Sequence, residues 1–279
     1  MSAGADKLYN SIDFYYKEEP LQMKILVCIK QVADTESNLR LNSSSSWIVE
    51  DNKIAYRMNR YDEYALEEAL IIKDILPGTV IDIISVGPER AAAAVKKALE
   101  RGADNGIHIK CGNSALTAIE TSSVIAEYAK DRGYDIIFAG VMSEDLMQSQ
   151  VGPMIASFLS IPSAVSVVKT ELVNNSDAIS VYSELEGGMT ENIEIKMPCL
   201  ITVQTGINLP RYPSLSNVMR ARSMEIVTVD IESLKITESY EEIVSAGYPP
   251  ASSKGIVING TMEEKAEKLL CLFHEKALI

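Results

Sequence analysis

The feature that most constrains this chain is a regular alternation of strand-like and helix-like segments between residues 24 and 159. Short apolar runs rich in β-branched residues recur, and each is followed by a longer segment with helical periodicity. This order is typical of a mainly parallel sheet covered by helices on both faces. We therefore predict a doubly wound α/β fold, with strands at 24–33, 80–86, 106–110 and 135–139.

The first predicted helix follows residues 59–62, and its apolar positions form one stripe. Glu63, Glu67 and Lys73 lie off that stripe, so we expect them on the polar face. Pro77 and Gly78 end this helix. Further helices are predicted at 89–101, 116–131 and 150–159.

After residue 165 the alternation of strand-like and helix-like segments ends, and the chain continues as strand-like runs separated by turns. Two strand-like runs, 165–173 and 179–185, flank a polar turn, and the Gly187-Gly188 pair predicts another tight turn. An added antiparallel hairpin is therefore expected, before a short buried strand at 200–203. Residues 208–213 contain two prolines and are predicted as a stiff loop.

The two ends of the chain differ from this central part. Residues 1–22 lack an apolar signal core and are acidic, so we expect a flexible N-terminal extension and a cytoplasmic location. A small hairpin is predicted around residues 50–53. The α/β domain is expected at 23–226, and 227–279 are expected to form a C-terminal arm whose helix, 263–274, packs on the domain or on a partner.

Charge and composition exclude several classes of function. The net charge of −13 argues against nucleic-acid binding, which needs a cationic face. The four cysteines have no spacing typical of a zinc site or a redox pair, and Cys28 and Cys199 are expected as buried thiols. His108 and His274 have no metal-ligand spacing, and no metal site is predicted.

In open α/β sheets, ligands bind at the carboxyl ends of the strands. The candidate segments are residues 29–30, 59–62, 86–87 and 140–152. The last of these leads into a helix N-terminus, where free N–H groups favour an anion such as phosphate. Glu144 and Asp145 could bind ribose hydroxyls or could be solvated charges. There is no GxGxxG fingerprint and no catalytic constellation, so the chain is predicted to be a binding protein rather than an enzyme.

Several motifs, in order, resemble those of the electron-transferring flavoprotein β-subunit family over about residues 23–226. They are MKILVCIKQV, MNRYDEYALEEA, SVGP, ALERGAD, the stretch EGGMTENIEIKMPCLIT and NLPRY. The resemblance implies a heterodimer in which an α subunit carries the redox FAD and this subunit holds AMP as a structural nucleotide. By the same resemblance, the AMP contacts, most of them through the backbone, are Cys28, Asn59, Arg60, Tyr61, Asp62, Val86, Gly140, Val141, Met142, Ser143, Glu144, Asp145, Leu146, Met147, Gln148, Ser149, Gln150 and Val151. The phosphate is expected at the helix beginning near Gln148.

The resemblance also implies a docking loop for a flavin dehydrogenase, such as an acyl-CoA dehydrogenase. It places Leu215 as the exposed anchor, and the C-terminal segment as an arm on the α subunit. The alternative is that Leu215 packs against its own domain. The implied docking residues are Arg211, Tyr212, Leu215, Met219 and Arg220.

Two departures from the family pattern bear on these expectations. Ser183 stands where the signature usually has Lys or Arg. In members that bind a second FAD and bifurcate electrons, the nucleotide loop resembles DGDT followed by xQxGP, and only the QVGP of residues 150–153 is present here. A bifurcating subunit that oxidises NADH therefore stands as the alternative, and a nucleotide-binding stress-type or hydrolase-like domain as a third hypothesis.

Overall fold

The structure is a computed structural model, and it describes residues 22–37, 39–41, 54–112, 116–173, 176–241, 244–248, 255 and 257–278. Residues 1–21 and the turn at 50–53, for which an extension and a hairpin are predicted, lie outside the described residues. The chain divides into two compact units, 1–39 with 50–242, and 40–49 with 243–279.

The first unit contains a nine-stranded sheet in the order β11-β5-β4-β1-β6-β10-β7-β8-β9. The strands from β11 to β7 run parallel, and β8 pairs antiparallel with both β7 and β9. Their bounds are β1 Lys24–Cys28, β4 Val80–Gly87, β5 Asn105–Lys110, β6 Ile136–Gly140, β7 Ser163–Leu172, β8 Ala178–Glu184, β9 Thr190–Lys196, β10 Cys199–Val203 and β11 Ile226–Asp230. A separate antiparallel pair joins β2, Gln31–Ala33, to β3, Tyr56–Met58. The predicted parallel sheet with an added antiparallel hairpin is thus confirmed.

Helices cover both faces of the sheet because the central strands are apolar on both sides. In β1, Ile25 and Val27 pack with the helices of one face, and Leu26 and Cys28 with those of the other. One face carries α1 Arg60–Ile75, α2 Ala92–Arg101 and α5 Leu215–Ser223, and the other carries α3 Ala118–Ala129 and α4 Val151–Leu159. The doubly wound prediction is confirmed.

Three boundaries differ from the sequence-based prediction. The first strand ends at Cys28, and residues 31–33 turn away to form β2. The predicted docking loop is helical from Leu215 onward, because the Ser214 side chain caps the N–H of Asn217 and starts α5. The sheet also continues beyond the predicted domain end at 226, since β11 pairs with β5 along its whole length. β11 is the edge strand of the sheet, and its residues are half-buried or exposed.

The C-terminal unit contains α6, Met262–Glu275, close to the predicted helix. A capping box between Thr261 and Glu264 begins this helix. Its apolar side chains Leu269, Leu270 and Phe273 are exposed. The prediction that this segment packs on another subunit stays a prediction.

Candidate functional site

The carboxyl ends of β1 and β6 form the switch point of the sheet. From β1 the chain proceeds outward to β4 and then β5, and it returns to the other side of β1 to form β6. Loops leaving neighbouring strands in opposite directions open a crevice, which is where ligands bind in such sheets. The candidate segments 59–62 and 140–152 both lie at this edge.

Asp62, in the first turn of α1, links the two strands. Its side chain is buried, and its two oxygens accept hydrogen bonds from the N–H of Lys30 at 2.7 Å and of Gly140 at 3.1 Å. Burial raises the pKa of this carboxyl to about 7, although both N–H donors and the Lys30 charge oppose the shift. Asp62 therefore holds Lys30, after β1, and Gly140, at the end of β6, at a fixed separation on the two sides of the crevice.

Gly140 ends β6 directly against α1. A Cβ on this residue would lie 2.4 Å from Asp62 Oδ1 and 2.6 Å from Tyr61 Cβ. Only glycine allows the strand end to approach the helix this closely. Gly152 likewise allows α4 to approach β10 closely, because a Cβ on this residue would lie 2.4 Å from Thr202 Cγ2.

Asn59 and Glu144 fasten the segment after β6 to the start of α1. The buried Asn59 side chain donates to the carbonyl of Met142 at 2.9 Å and accepts from the N–H of Glu144 at 3.0 Å. Glu144 pairs with Arg57 Nη2 at 2.9 Å and accepts from the N–H of Arg60 at 3.2 Å. The Glu144 carboxylate is thus held by groups of this chain.

Lys30 holds the other side of the same segment. Its Nζ lies 2.7 Å from Asp145 and 3.4 Å from Ser143 Oγ. Of the two alternatives for Glu144 and Asp145, neither carboxylate is simply solvated, because each has a cationic partner. The crevice consequently contains a lysine ammonium group at its rim.

The segment entering α4 presents main-chain N–H groups. In the described part of the chain, the N–H groups of Gln148, Ser149 and Gln150 have no hydrogen-bond partner. Met147 and Ser149 have positive φ values of 52° and 54°, a conformation that non-glycine residues rarely adopt without a local constraint. The helix begins at Val151, three residues after Gln148, and its first N–H groups have no partner within the helix. This arrangement can accept an anion.

The other predicted cofactor residues occupy the same edge or its surroundings. Cys28 ends β1 and is buried, and burial, with the nearby Asp62 charge, raises the pKa of its thiol, so it is a poor nucleophile. Val86 precedes the end of β4 and is half-buried, Val141 is buried, and Leu146 is half-buried. The structure therefore gathers the predicted set at the strand ends, whereas the contacts of these residues with a ligand stay a prediction.

The predicted docking residues form a second region. Tyr212 is 95% exposed and Leu215 is 79% exposed, and Leu209 and Met219 are exposed beside them. The reading in which Leu215 packs against its own domain does not fit this exposure. Among the described residues, no hydrogen bond or ion pair joins the docking set to the predicted cofactor set.

Arg211 and Arg220 point inward instead of outward. Arg211 pairs with Glu67 and Asp74 of α1, both at 2.8 Å. Arg220 Nη2 donates to the carbonyls of Leu99 and Ala103, at the end of α2. Both guanidinium groups therefore anchor the segment to its own domain.

Sequence reasoning missed some of the residues that build these regions. Glu67, expected on the polar face of α1, is 5% exposed and is covered by Arg211. Arg57 was not predicted to hold Glu144, and no local signal in the sequence relates them because they are 87 residues apart. As predicted, Cys199 is buried. His108 is also buried, and its Nε2 lies 3.0 Å from the Gly87 carbonyl.

Within the described residues, no cluster of three or more His, Cys, Asp or Glu could hold a metal ion. Across the same residues, every helix is too short or too polar to span a membrane.

The fold defines a doubly wound α/β protein, and the edge described above is its switch point, where sheets of this class bind ligands. The family model for the electron transfer flavoprotein domain matches residues 46–234. The electron transfer flavoprotein subunit beta of Methylophilus methylotrophus is 31% identical, over 91% of this chain and 98% of that protein. The Bacillus subtilis protein of the same name is 31% identical over 92% and 100%, and the mitochondrial subunit beta of Arabidopsis thaliana is 32% identical over 88% and 97%. The chain belongs to the electron transfer flavoprotein family, among its β subunits.

Proposed function

We propose that this chain binds AMP at the crevice between β1 and β6 and serves as the structural subunit of a heterodimer. Its α subunit carries the redox FAD. The observation that carries the nucleotide proposal is the row of unpartnered N–H groups at Gln148, Ser149 and Gln150, directly before α4. A phosphate at this position would satisfy donors that are otherwise without a partner.

The residues present fit such a nucleotide. Lys30 supplies a positive charge at the rim, where it now pairs with Asp145. Asp62 and Asn59 fix the backbone on either side of the crevice, so most contacts to the nucleotide would be made by main-chain groups. AMP has no redox chemistry, and its contribution in this proposal is to fill and stabilise the strand ends.

The second part of the proposal concerns electron transfer. The exposed apolar side chains of Leu209, Tyr212 and Leu215 form a surface that suits docking of a flavin dehydrogenase such as an acyl-CoA dehydrogenase. That dehydrogenase reduces the FAD of the α subunit, and the present chain catalyses no reaction of its own. The exposed apolar side chains of α6 are the proposed contact with the α subunit.

The test is the identity of the small molecules released when the purified heterodimer is denatured. We expect one FAD and one AMP per heterodimer, measured by chromatography and mass spectrometry. Two FAD and no AMP would contradict the proposal and support the bifurcating alternative. A chain that is monomeric and folded when expressed alone, and that hydrolyses a nucleotide, would support the hydrolase-like hypothesis instead.

The AMP assignment has a second test in the protein itself. Lys30→Met removes the ammonium group from the rim of the crevice and leaves the N–H groups before α4 in place. We expect the variant heterodimer to retain less AMP after gel filtration in high salt, with its FAD content unchanged. Equal retention by the two proteins would show that Lys30 does not contribute to nucleotide binding.

A further inference from the structure

The segment between β10 and α5 is attached to α1 through two buried carboxylates. Glu67 and Glu68 are only 5% and 6% exposed, although both are acidic side chains. Buried carboxylates are costly unless they are paired or hydrogen-bonded. The groups that satisfy them come largely from residues 208–211.

Glu67 binds Arg211 through several hydrogen bonds and an ion pair. The main-chain N–H of Arg211 donates to Oε2 at 2.9 Å, its Nε donates to Oε1 at 2.9 Å, and its Nη2 lies 2.8 Å from Oε1. Such a multiple contact between guanidinium and carboxylate fixes orientation as well as distance. Because the main chain of Arg211 takes part, the contact positions the backbone and not only the side chain.

Glu68 holds the segment three residues earlier. One of its oxygens accepts from Asn208 Nδ2 at 2.8 Å, and the other accepts from Thr170 Oγ1 at 2.6 Å. Asn208 Nδ2 also donates to the carbonyl of Tyr64 at 3.0 Å. The segment is therefore attached to α1 at both 208 and 211.

The residues between and after these attachments are the exposed ones. Leu209 is 87% exposed, Tyr212 is 95% exposed, and Leu215 begins α5. A pre-positioned surface loses less conformational entropy on binding than a mobile one. We propose that Glu67 is a positioning residue for docking. By binding Arg211, it holds Tyr212 and Leu215 in the orientation that the dehydrogenase recognises. This inference rests on the docking function proposed above.

The test compares Glu67→Gln with Glu63→Gln in the complete heterodimer. Glu63 is the matched control, because it lies on the same helix and pairs with Arg101 at 3.0 Å instead of with the docking segment. The first readout is hydrogen exchange of residues 208–214 without any dehydrogenase. We expect faster exchange in Glu67→Gln and wild-type exchange in Glu63→Gln.

The second readout is steady-state electron transfer from an acyl-CoA dehydrogenase of the same organism, reduced with its substrate. Glu67→Gln is expected to raise the KM for the dehydrogenase roughly three- to tenfold, the scale of one ordinary hydrogen bond, with kcat and bound AMP unchanged. Loss of stability alone would not separate KM from kcat. Arg211→Gln should also raise the KM, and the effects of the two substitutions should be less than additive in the double variant, because both disrupt the Glu67–Arg211 contact although Arg211 also pairs with Asp74.

The outcomes separate this inference from the docking function. If Leu215→Ala raises the KM and Glu67→Gln does not, the positioning role is refuted and docking stands. If neither changes the KM, docking at this surface fails and the inference fails with it. Additive effects in the double variant would also refute the inference. Should Glu67→Gln not fold, Arg211→Lys decides the question, because lysine keeps a positive charge beside the buried Glu67 and loses the multiple contact of the guanidinium.

Discussion

Gly140 donates its N–H to Asp62 across the switch point of the sheet, and the two residues are in contact. The hydrogen bond is 3.1 Å long, and a Cβ on residue 140 would come within 2.4 Å of the same carboxylate oxygen. A single glycine thus sets how closely β6 approaches the first turn of α1.

Gly140→Ala is expected to destabilise the protein by about 1–3 kcal/mol, the usual cost of overpacking a close contact. The new methyl group would also press on the main-chain carbon of Tyr61, which cannot move without displacing α1. Urea unfolding of the heterodimer measures the loss, and the released AMP shows whether the crevice survives. Gly112→Ala is the control, because among the described residues no atom apart from its chain neighbours lies within 4 Å of the added Cβ. Equal stabilities for the two variants would contradict the role given to Gly140.

Asn59→Ala is expected to reduce both stability and nucleotide retention. Asn59 is 1% exposed, and its removal leaves the carbonyl of Met142 and the N–H of Glu144 without their partner. The cost of such unsatisfied groups is about 1–3 kcal/mol. Thermal unfolding and AMP content provide the measurements. Lys97→Ala should leave both unchanged, since Lys97 is exposed on α2, where it pairs with Glu100 of the same helix. An Asn59→Ala protein that retains AMP as well as the wild type does would argue against a role of these two hydrogen bonds in nucleotide binding.

Asp62 is expected to make stability depend on pH near neutrality. Its pKa in the folded protein is raised to about 7, mainly by burial, whereas an unfolded aspartate has a pKa of about 3.9. Between these values the folded protein binds more protons than the unfolded chain, so the free energy of unfolding falls as pH rises from about 4 to 7. Below this window the contribution is fully present, and above it the contribution is lost.

Asp62→Asn removes the titrating group and should flatten this part of the profile. Urea unfolding at pH 5 and pH 7.5 should show a fall in the wild type that exceeds the fall in the variant by on the order of 2 kcal/mol. The comparison of slopes is independent of the hydrogen bond that the amide substitution itself weakens. Parallel profiles for the two proteins would mean that Asp62 is ionised throughout this range.

Much of the fold follows from local patterns in the sequence. The apolar runs and helical stripes predict β1, β4, β5, β6 and the helices between them, because these strands are buried on both faces. The switch-point rule then places residues 59–62 and 140–152 at one edge without further information. The edge strand β11 and the helix α5 were missed, since the first is short and exposed and the second begins directly after two prolines.

The contacts that hold the two regions together are not local, and this is why the sequence alone does not reveal them. Asp62 contacts Gly140, which lies 78 residues further along the chain, and Glu67 contacts Arg211, which lies 144 residues further along. An acidic residue off the apolar stripe of a helix is ordinarily solvated, and nothing near Glu67 in the chain indicates that an arginine will cover it. The structure shows that α1 carries both sets of contacts, with Asp62 in its first turn and Glu67 in the next.

Leu215→Ala is expected to weaken docking of the dehydrogenase without altering the subunit itself. The side chain is 79% exposed, so its removal should change the free energy of unfolding by less than about 0.5 kcal/mol. An apolar anchor that fills a partner's pocket contributes far more to binding, and a rise in KM of about tenfold or greater is expected. The rate of electron transfer measured over a range of acyl-CoA dehydrogenase concentrations gives the KM. Val227→Ala, which shortens another exposed side chain on β11, is the control and should behave as the wild type does. Unchanged kinetics for Leu215→Ala, with AMP and the α subunit still bound, would remove the anchor role from this residue.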